Sequence, residues 1–252
     1  MGDISRELRK AGDRSLMVAQ KDKKNYAEAL SRELAQTFAD KLRSRFRGIL
    51  PDNDGKGQES RARTSKGFKK LDVNYSTLEL GLGLGVSIKT INFPDGASRR
   101  YTKNYTRVDG ELRAEASDYH ERQPYSVLAA LIFLPADAAL DAPTKISSFG
   151  ASVQVFRPRA GRSGPKDSPM LFERVFVALY DTDASNFGQV GFFDVMEPPP
   201  RSGKPKVMLT LDQVCDAITD TYDARNSPEF VWADGIPAPH APPDVEPEED
   251  VA

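Results

Sequence analysis

The sequence predicts a mixed α/β domain, and three observations carry that prediction. Between residues 25 and 47, Tyr26, Leu30, Leu34, Phe38, Leu42 and Phe46 recur every four positions, the spacing of a helix with one face on a core. Two β-like runs follow, at residues 71–77 and 85–93, separated by a glycine-rich reversal. After a second helical segment comes the continuous apolar run 125–134, which reads as a strand buried on both faces. The order helix, two or three antiparallel strands, helix, strand requires one sheet with helices packed on it.

Taken in order, residues 1–20 form an N-terminal arm that includes a short helix, and 21–226 form a single domain. Residues 51–70 are polar, basic and glycine-containing, which predicts a mobile loop. The segment 99–107 (RRYTKNYTR) reads as a third strand or an extended loop, and a helix is expected from Asp109 to just before Pro124. Residues 146–156 are ambiguous. The runs 172–180 and 190–196 form a further hairpin, 211–225 a closing helix, and 227–252 a disordered tail rich in proline and acid.

Composition narrows the chemistry. The chain has 252 residues, a single cysteine and two histidines, so thiolate and histidine-rich metal sites are ruled out and a metal would be held by carboxylates. The longest apolar run, 127–136, is about half of the ~20 residues needed to cross a bilayer. A cytoplasmic protein without membrane attachment is therefore expected. The formal charge of −2 conceals an asymmetry: residues 227–252 hold seven acids and no Lys or Arg, which leaves the body at +5. Within it, 41–70 carries ten cations against three acids, a distribution that suits a polyanion.

The chemistry-bearing pattern lies in 71–92. Asp72 opens the first β-like run, and Lys89 lies on the second, with Ser87 on the same face two residues before it. Ile88 points the other way and offers its carbonyl. Phosphodiester hydrolysis needs a hard cation held by oxygen ligands and a nearby cation to orient water and neutralise charge. Asp72 and Lys89 could supply the first acid and the lysine. Read without that chemistry, the same two residues are a cross-strand ion pair on a half-buried sheet.

With these residues in place, the chain resembles the PD-(D/E)xK nuclease superfamily, in which a helix precedes an antiparallel sheet, an aspartate begins one strand and a (D/E)-x-K tripeptide lies on the next. Asp72 matches the aspartate and Ser87-Ile88-Lys89 the tripeptide, over roughly residues 25–135. The resemblance implies a restriction-endonuclease-like αβββαβ core, here with an additional hairpin and a C-terminal helix. It also implies a Mg²⁺- or Mn²⁺-dependent DNA endonuclease of restriction or anti-phage defence, acting as a homodimer or with a partner subunit. Ser87 departs from the pattern. Members with S-x-K take the missing acid from the following helix, which here offers Glu115 and, one turn earlier, Glu111; Glu79 in the reversal is a third candidate. Glu33 matches the helical glutamate that many members place near the metal. The implied site is thus Asp72, Lys89 and Glu115 as catalytic residues, with Asp72, Glu115, Glu33 and the Ile88 carbonyl as metal ligands.

For the nucleic acid, Arg99, Arg100, Lys103 and Arg107 interleave with Tyr101 and Tyr105, and Arg157, Arg159 and Arg162 lie in a glycine-containing loop. Edge-strand protection explains the first group equally well. His120 beside Glu121 reads as a surface or capping residue. Two alternatives remain: a nuclease fold that has lost cleavage but retains binding, and an adaptor subunit of a larger complex.

Overall fold

A computed structural model describes residues 2–77 and 81–226. The chain opens with β1 (Gly2–Asp3) and α1 (Ser5–Ala11), followed by the long helix α2 (Gln20–Leu42). A separate two-stranded ribbon, β2 (Ser60–Thr64) and β3 (Gly67–Leu71), leads into β4 (Val73–Thr77) and β5 (Gly81–Thr90). Then come α3 (Tyr105–Arg122), β6 (Val127–Pro135), α4 (Ser148–Phe156), β7 (Arg174–Tyr180), β8 (Gln189–Asp194) and α5 (Leu211–Arg225). The fold is mixed α/β.

The main sheet has the order β1-β8-β7-β6-β5-β4. Its centre, β5-β6-β7, is parallel, because α3 and α4 carry the chain back between those strands; β4, β8 and β1 are antiparallel additions. Alternation along the strands divides the core. Val127, Ala129, Leu131 and Phe133 face the layer of α1, α2 and α5, whereas Leu128, Ala130, Ile132 and Leu134 face α3 and α4. All nine residues of β6 are buried, which is why its sequence is an unbroken apolar run rather than an alternation. The four-residue stripe of α2 is buried as its spacing predicts, and Phe38 meets Phe133 and Phe192 edge-on at 6.4 and 5.9 Å. α5 begins at a capping box between Thr210 and Gln213.

Several expectations are corrected. Residues 2–11 do not stand off as an arm: Gly2 and Asp3 pair with β8, and Ile4 and Leu8 are buried against the rest of the core. The segment 51–70 is not a loop throughout. Its second half is the β2–β3 ribbon, docked on α3 through Ser65 N–H to the Asp118 carbonyl (2.9 Å) and Tyr119 Oη to the Lys70 carbonyl (3.3 Å). Charge on the outward face conceals its alternation, since only Ala62, Thr64 and Leu71 of its residues are buried. No third strand forms at 99–107. A 3-10 turn (Thr102–Asn104) runs directly into α3, because Tyr101, Tyr105, Val108 and Leu112 bury at helical spacing, overriding the β-preference of tyrosine and threonine. The ambiguous 146–156 is the helix α4, capped by Ser147. The tail 227–252 and Glu79 lie outside the described residues.

Candidate active site

β5 runs four residues past the start of β4: Val73 pairs with Val86, and the strand continues to Thr90. Beyond that point the ladder is replaced by a side chain. Asp72 Oδ2 accepts the Ile88 N–H at 2.6 Å, so the carboxylate sits where a main-chain acceptor would otherwise be. Along a strand, the N–H and C=O of one residue point to the same edge, so the Ile88 carbonyl also faces the Asp72 side.

Two packing features hold Asp72 there. Leu71, the residue before it, lies over Gly85, where a Cβ would come within 3.0 Å of the Leu71 side chain. The Lys70 carbonyl is tied to Tyr119, one helical turn beyond Glu115 on α3. Asp72 and Glu115 are thereby fixed against the same helix.

Ser87 and Lys89 project from β5 toward α3, while Ile88 packs with α2 on the other face. Both meet one carboxylate: Ser87 Oγ lies 3.1 Å and Lys89 Nζ 3.3 Å from Glu115 Oε2. Ser87 is thus hydrogen-bonded to the α3 glutamate that the sequence nominates alongside it.

The Asp72 carboxyl and the Lys89 amine are both shifted upward, for different reasons. Burial raises the Asp72 carboxyl to about 6, and the Glu115 and Glu59 charges push the same way, against the lowering pull of Lys89 and the Ile88 hydrogen bond. Among the described residues Asp72 has that single hydrogen bond and no ion pair. Burial pulls the Lys89 amine down, but the Glu115 and Asp72 charges outweigh it, so its pKa lies above the ordinary lysine value and the ammonium stays protonated.

These donors fit a hard cation. Asp72 is a half-buried carboxylate short of compensation, Glu115 a second carboxylate within its electrostatic reach, and the Ile88 carbonyl a neutral oxygen on the same edge. Among the described residues no group of three or more His, Cys, Asp or Glu converges. A cation held here would complete its shell with water and phosphate oxygens, which is the habit of Mg²⁺ rather than of Ca²⁺ or Zn²⁺.

The site opens onto a groove of about 560 Å³ between α2 and α3, lined among others by Lys24, Glu28, Arg32, Glu59, Lys70, Asp72, Lys89, Arg107 and Glu111. It continues past Lys24 and Arg107 into a second hollow of about 390 Å³ bordered by Lys23, Asp95, Arg100 and Lys103. Together they are lined by eight cations and five acids, an excess of positive charge at the carboxyl end of β5, where open α/β sheets bind ligands.

The other anticipated residues divide. Glu33 is not at the groove; it binds Lys10 at 2.7 Å in the seam between α1 and α2, and the α2 glutamate that lines the groove is Glu28, one and a half turns earlier. The signal for Glu28 was available: Ala27 and Ser31 are small residues beside the buried stripe, where another element approaches, and Lys24 lies 3.6 Å from Glu28 on that flank. Glu111 pairs with Arg107 on the exposed flank of α3 at the groove's rim. Arg100 and Lys103 border the second hollow although each has a partner, Ile146 O and Asp95 respectively, and Arg99 is exposed at the preceding turn.

Tyr101 and Tyr105 are core residues, bonded to Asp137 and to the Ser148 carbonyl, and present no ring to a base. The second basic group is also structural. Arg157 donates to the Val195 and Glu197 carbonyls, Arg159 pairs with Asp109 at 2.6 Å, and Arg162 is buried on Glu173 at 3.0 Å. His120 is buried as well, with Nδ1 3.2 Å from the Pro169 carbonyl and Nε2 3.4 Å from Glu173. No helix among the described residues is long and apolar enough to cross a membrane. Compared with family models, with curated proteins and with solved structures, the chain finds no match.

Proposed function

We propose that this chain is a metal-dependent DNA endonuclease of the PD-(D/E)xK type, with a restriction-endonuclease-like core of α2, β4, β5, α3 and β6. The observation that supports it most is the meeting of Asp72, Lys89 and Glu115 at one end of β5, with Ser87 Oγ and Lys89 Nζ both on Glu115 Oε2. Asp72, Glu115 and the Ile88 carbonyl would hold Mg²⁺ or Mn²⁺. The bound cation would polarise the scissile phosphate and lower the pKa of water.

The protein's own groups do the rest. Lys89, kept charged by two carboxylates, orients the attacking water and offsets negative charge developing on the phosphate oxygens. Lys24, Arg32 and Lys70 along the groove hold the flanking phosphates, so that the scissile bond is positioned over Lys89. A setting in DNA restriction or defence belongs to this proposal as its biological expectation.

A second reading has its own support. Glu115 is already satisfied by Ser87 and Lys89 without any metal, an arrangement that a nuclease fold retaining only DNA binding would also keep. Incubation with supercoiled plasmid in Mg²⁺ or Mn²⁺ separates the two. Cleavage is expected, to be abolished by a chelator and to fall at least about 10²-fold in Lys89→Ala and in Asp72→Ala, the scale of losing one preorganised charge-stabilising group. Cleavage indifferent to both substitutions would sink the site; salt-sensitive binding with no cleavage would favour the second reading.

A further inference from the structure

The ribbon of β2 and β3 is the element the sequence conceals best, and the one whose outward face the fold leaves unexplained. Residues 60–71 contain five cations and no acid. Their inward side is accounted for: Ala62 and Leu71 join the core beneath, and Lys69, like Lys66 from the turn, binds Asp118 of α3. The register places Arg61 opposite Lys70 and Arg63 opposite Phe68 on the other side. Cross-strand partners share a face, so these four side chains point outward together.

Phe68 is 61% exposed, an unusual place for a large aromatic on a docked ribbon, and the Arg63 guanidinium lies over its ring at 5.5 Å. Arg61 and Arg63 make no ion pair among the described residues, whereas Lys70 reaches Glu59 in the groove. The ribbon therefore shows solvent two guanidinium groups with no acidic partner among the described residues, one of them, Arg63, stacked on the exposed Phe68 ring. It leads without a break into Asp72.

We propose that this ribbon is a duplex-DNA-binding arm that seats in the major groove beside the candidate site. Charge complementarity selects a polyanion. The shape selects its form: a two-stranded β-ribbon enters the roughly 12 Å major groove of B-form DNA, while the deep, narrow major groove of A-form RNA does not admit side chains. Arg61 and Arg63 take phosphates or guanine edges, and Phe68 makes the apolar contact with a thymine methyl or a sugar. Docking on α3 through Asp118 and Tyr119 gives the arm a fixed offset from Lys89, so binding sets which phosphate reaches the groove.

The inference extends the endonuclease reading and is tested apart from it, by fluorescence anisotropy of the full chain on a labelled 20-base-pair DNA duplex with EDTA present. Arg61→Glu with Arg63→Glu is expected to weaken binding at least tenfold. The replacement Arg61→Ala with Arg63→Ala should lower the slope of log affinity against log salt by about 1.8, at about 0.9 per phosphate contact. Phe68→Ala should cost three- to tenfold with an unchanged slope. Lys166→Glu with Lys206→Glu makes the same change in net charge at exposed positions elsewhere and should leave affinity within twofold.

Retention of wild-type affinity in the ribbon variants, equal loss in the Lys166/Lys206 control, or tighter binding of single-stranded DNA or duplex RNA than of duplex DNA would each overturn the proposal. Ribbon-dependent binding by a protein that cleaves nothing would uphold the arm while removing the endonuclease. Cleavage that persists unaltered in the ribbon variants would do the reverse.

Discussion

The two ends of the parallel strands hold similar chemical groups arranged to opposite effect. At the amino-terminal ends of β6 and β7, Glu173 is buried and answered by Arg162 at 3.0 Å, Arg225 at 3.4 Å and the Leu128 N–H at 2.8 Å, with His120 Nε2 packed 3.4 Å away. The same guanidinium groups donate to the carbonyls of Pro124 and Pro165, so the cluster ties together α3, β6, β7, α5 and the loop between α4 and β7. At the carboxyl end of β5, Asp72 is half-buried and, among the described residues, has one hydrogen bond and no ion pair, beside a groove open to solvent. Burial alone is therefore no sign of function. What separates the two is compensation: a carboxylate whose charge is fully answered is a fastener, and one left short is available to a cation.

The largest expected effect follows from removing the fastener. Glu173→Gln leaves Arg162 and Arg225 charged and buried with no carboxylate, a loss of about 3–5 kcal/mol when one partner of a buried ion pair is removed. Urea denaturation should show it as a fall in midpoint, with plasmid cleavage retained at temperatures below the shifted transition. Equal losses of stability and cleavage at low temperature would mean that the two ends are not independent.

At the other end the sign reverses. Asp72 has a folded pKa of about 6 against an ordinary 3.8, so the folded state binds more protons than the unfolded one between those values. The Asp72 contribution to stability, read as the difference between wild type and Asp72→Asn, should accordingly become more favourable as the pH falls from about 6 to about 4, where an acid with a depressed pKa would instead lose stability. Neutral Asn at the same position avoids the burial cost. Two pK units, a net shift in which the pull of Lys89 is already counted, correspond to about 3 kcal/mol as an upper bound, and solvent screening of a half-buried group reduces it, so Asp72→Asn should stabilise the protein by about 1–2 kcal/mol at pH 8. The gain should vanish near pH 4, and cleavage should be lost at both. A destabilised Asp72→Asn at pH 8 would place Asp72 among the fasteners.

Legibility in the sequence follows the same division. α2, α5, β6 and the β7–β8 hairpin were readable because each buries one stripe or one continuous run, and periodicity reports burial directly. Strand alternation put Ser87 and Lys89 on one face, and the resemblance to the nuclease superfamily added Asp72 and, as the substitute acid on the following helix, Glu115. The roles that depend on which partner a charge finds were not readable. Arg162 read as a phosphate-contacting loop residue and His120 as a surface or capping residue, yet both lie in the interior beside the buried Glu173, which binds Arg162. The ribbon at 60–71 was missed because its burial signal is three residues long and its outward face is all charge and Phe68. Glu28 rather than Glu33 lines the groove because the five positions between them, at 3.6 per turn, place the two on different flanks of α2.

The smallest effect tests how the site arose from its departure at position 87. If Glu115 does the work of the missing acid, the carboxylate can be moved back to the strand. Ser87→Asp alone sets two carboxylates against each other in a buried spot and should reduce cleavage more than tenfold, and Glu115→Ser alone removes the acid and should do the same. Combined, the two substitutions restore one acid, one hydroxyl and Lys89 within the same space. Plasmid cleavage by the double variant should return to within about tenfold of wild type, a residual penalty of about 1.4 kcal/mol for the shift in carboxylate position. Recovery of this kind is a coupling that a purely structural Ser87–Glu115 hydrogen bond would not produce, because such a bond governs stability and leaves the cleavage rate of folded protein unchanged. Additive losses in the double variant would assign Glu115 to holding Lys89 in place, and would leave Asp72 as the single acid at the open end of the sheet.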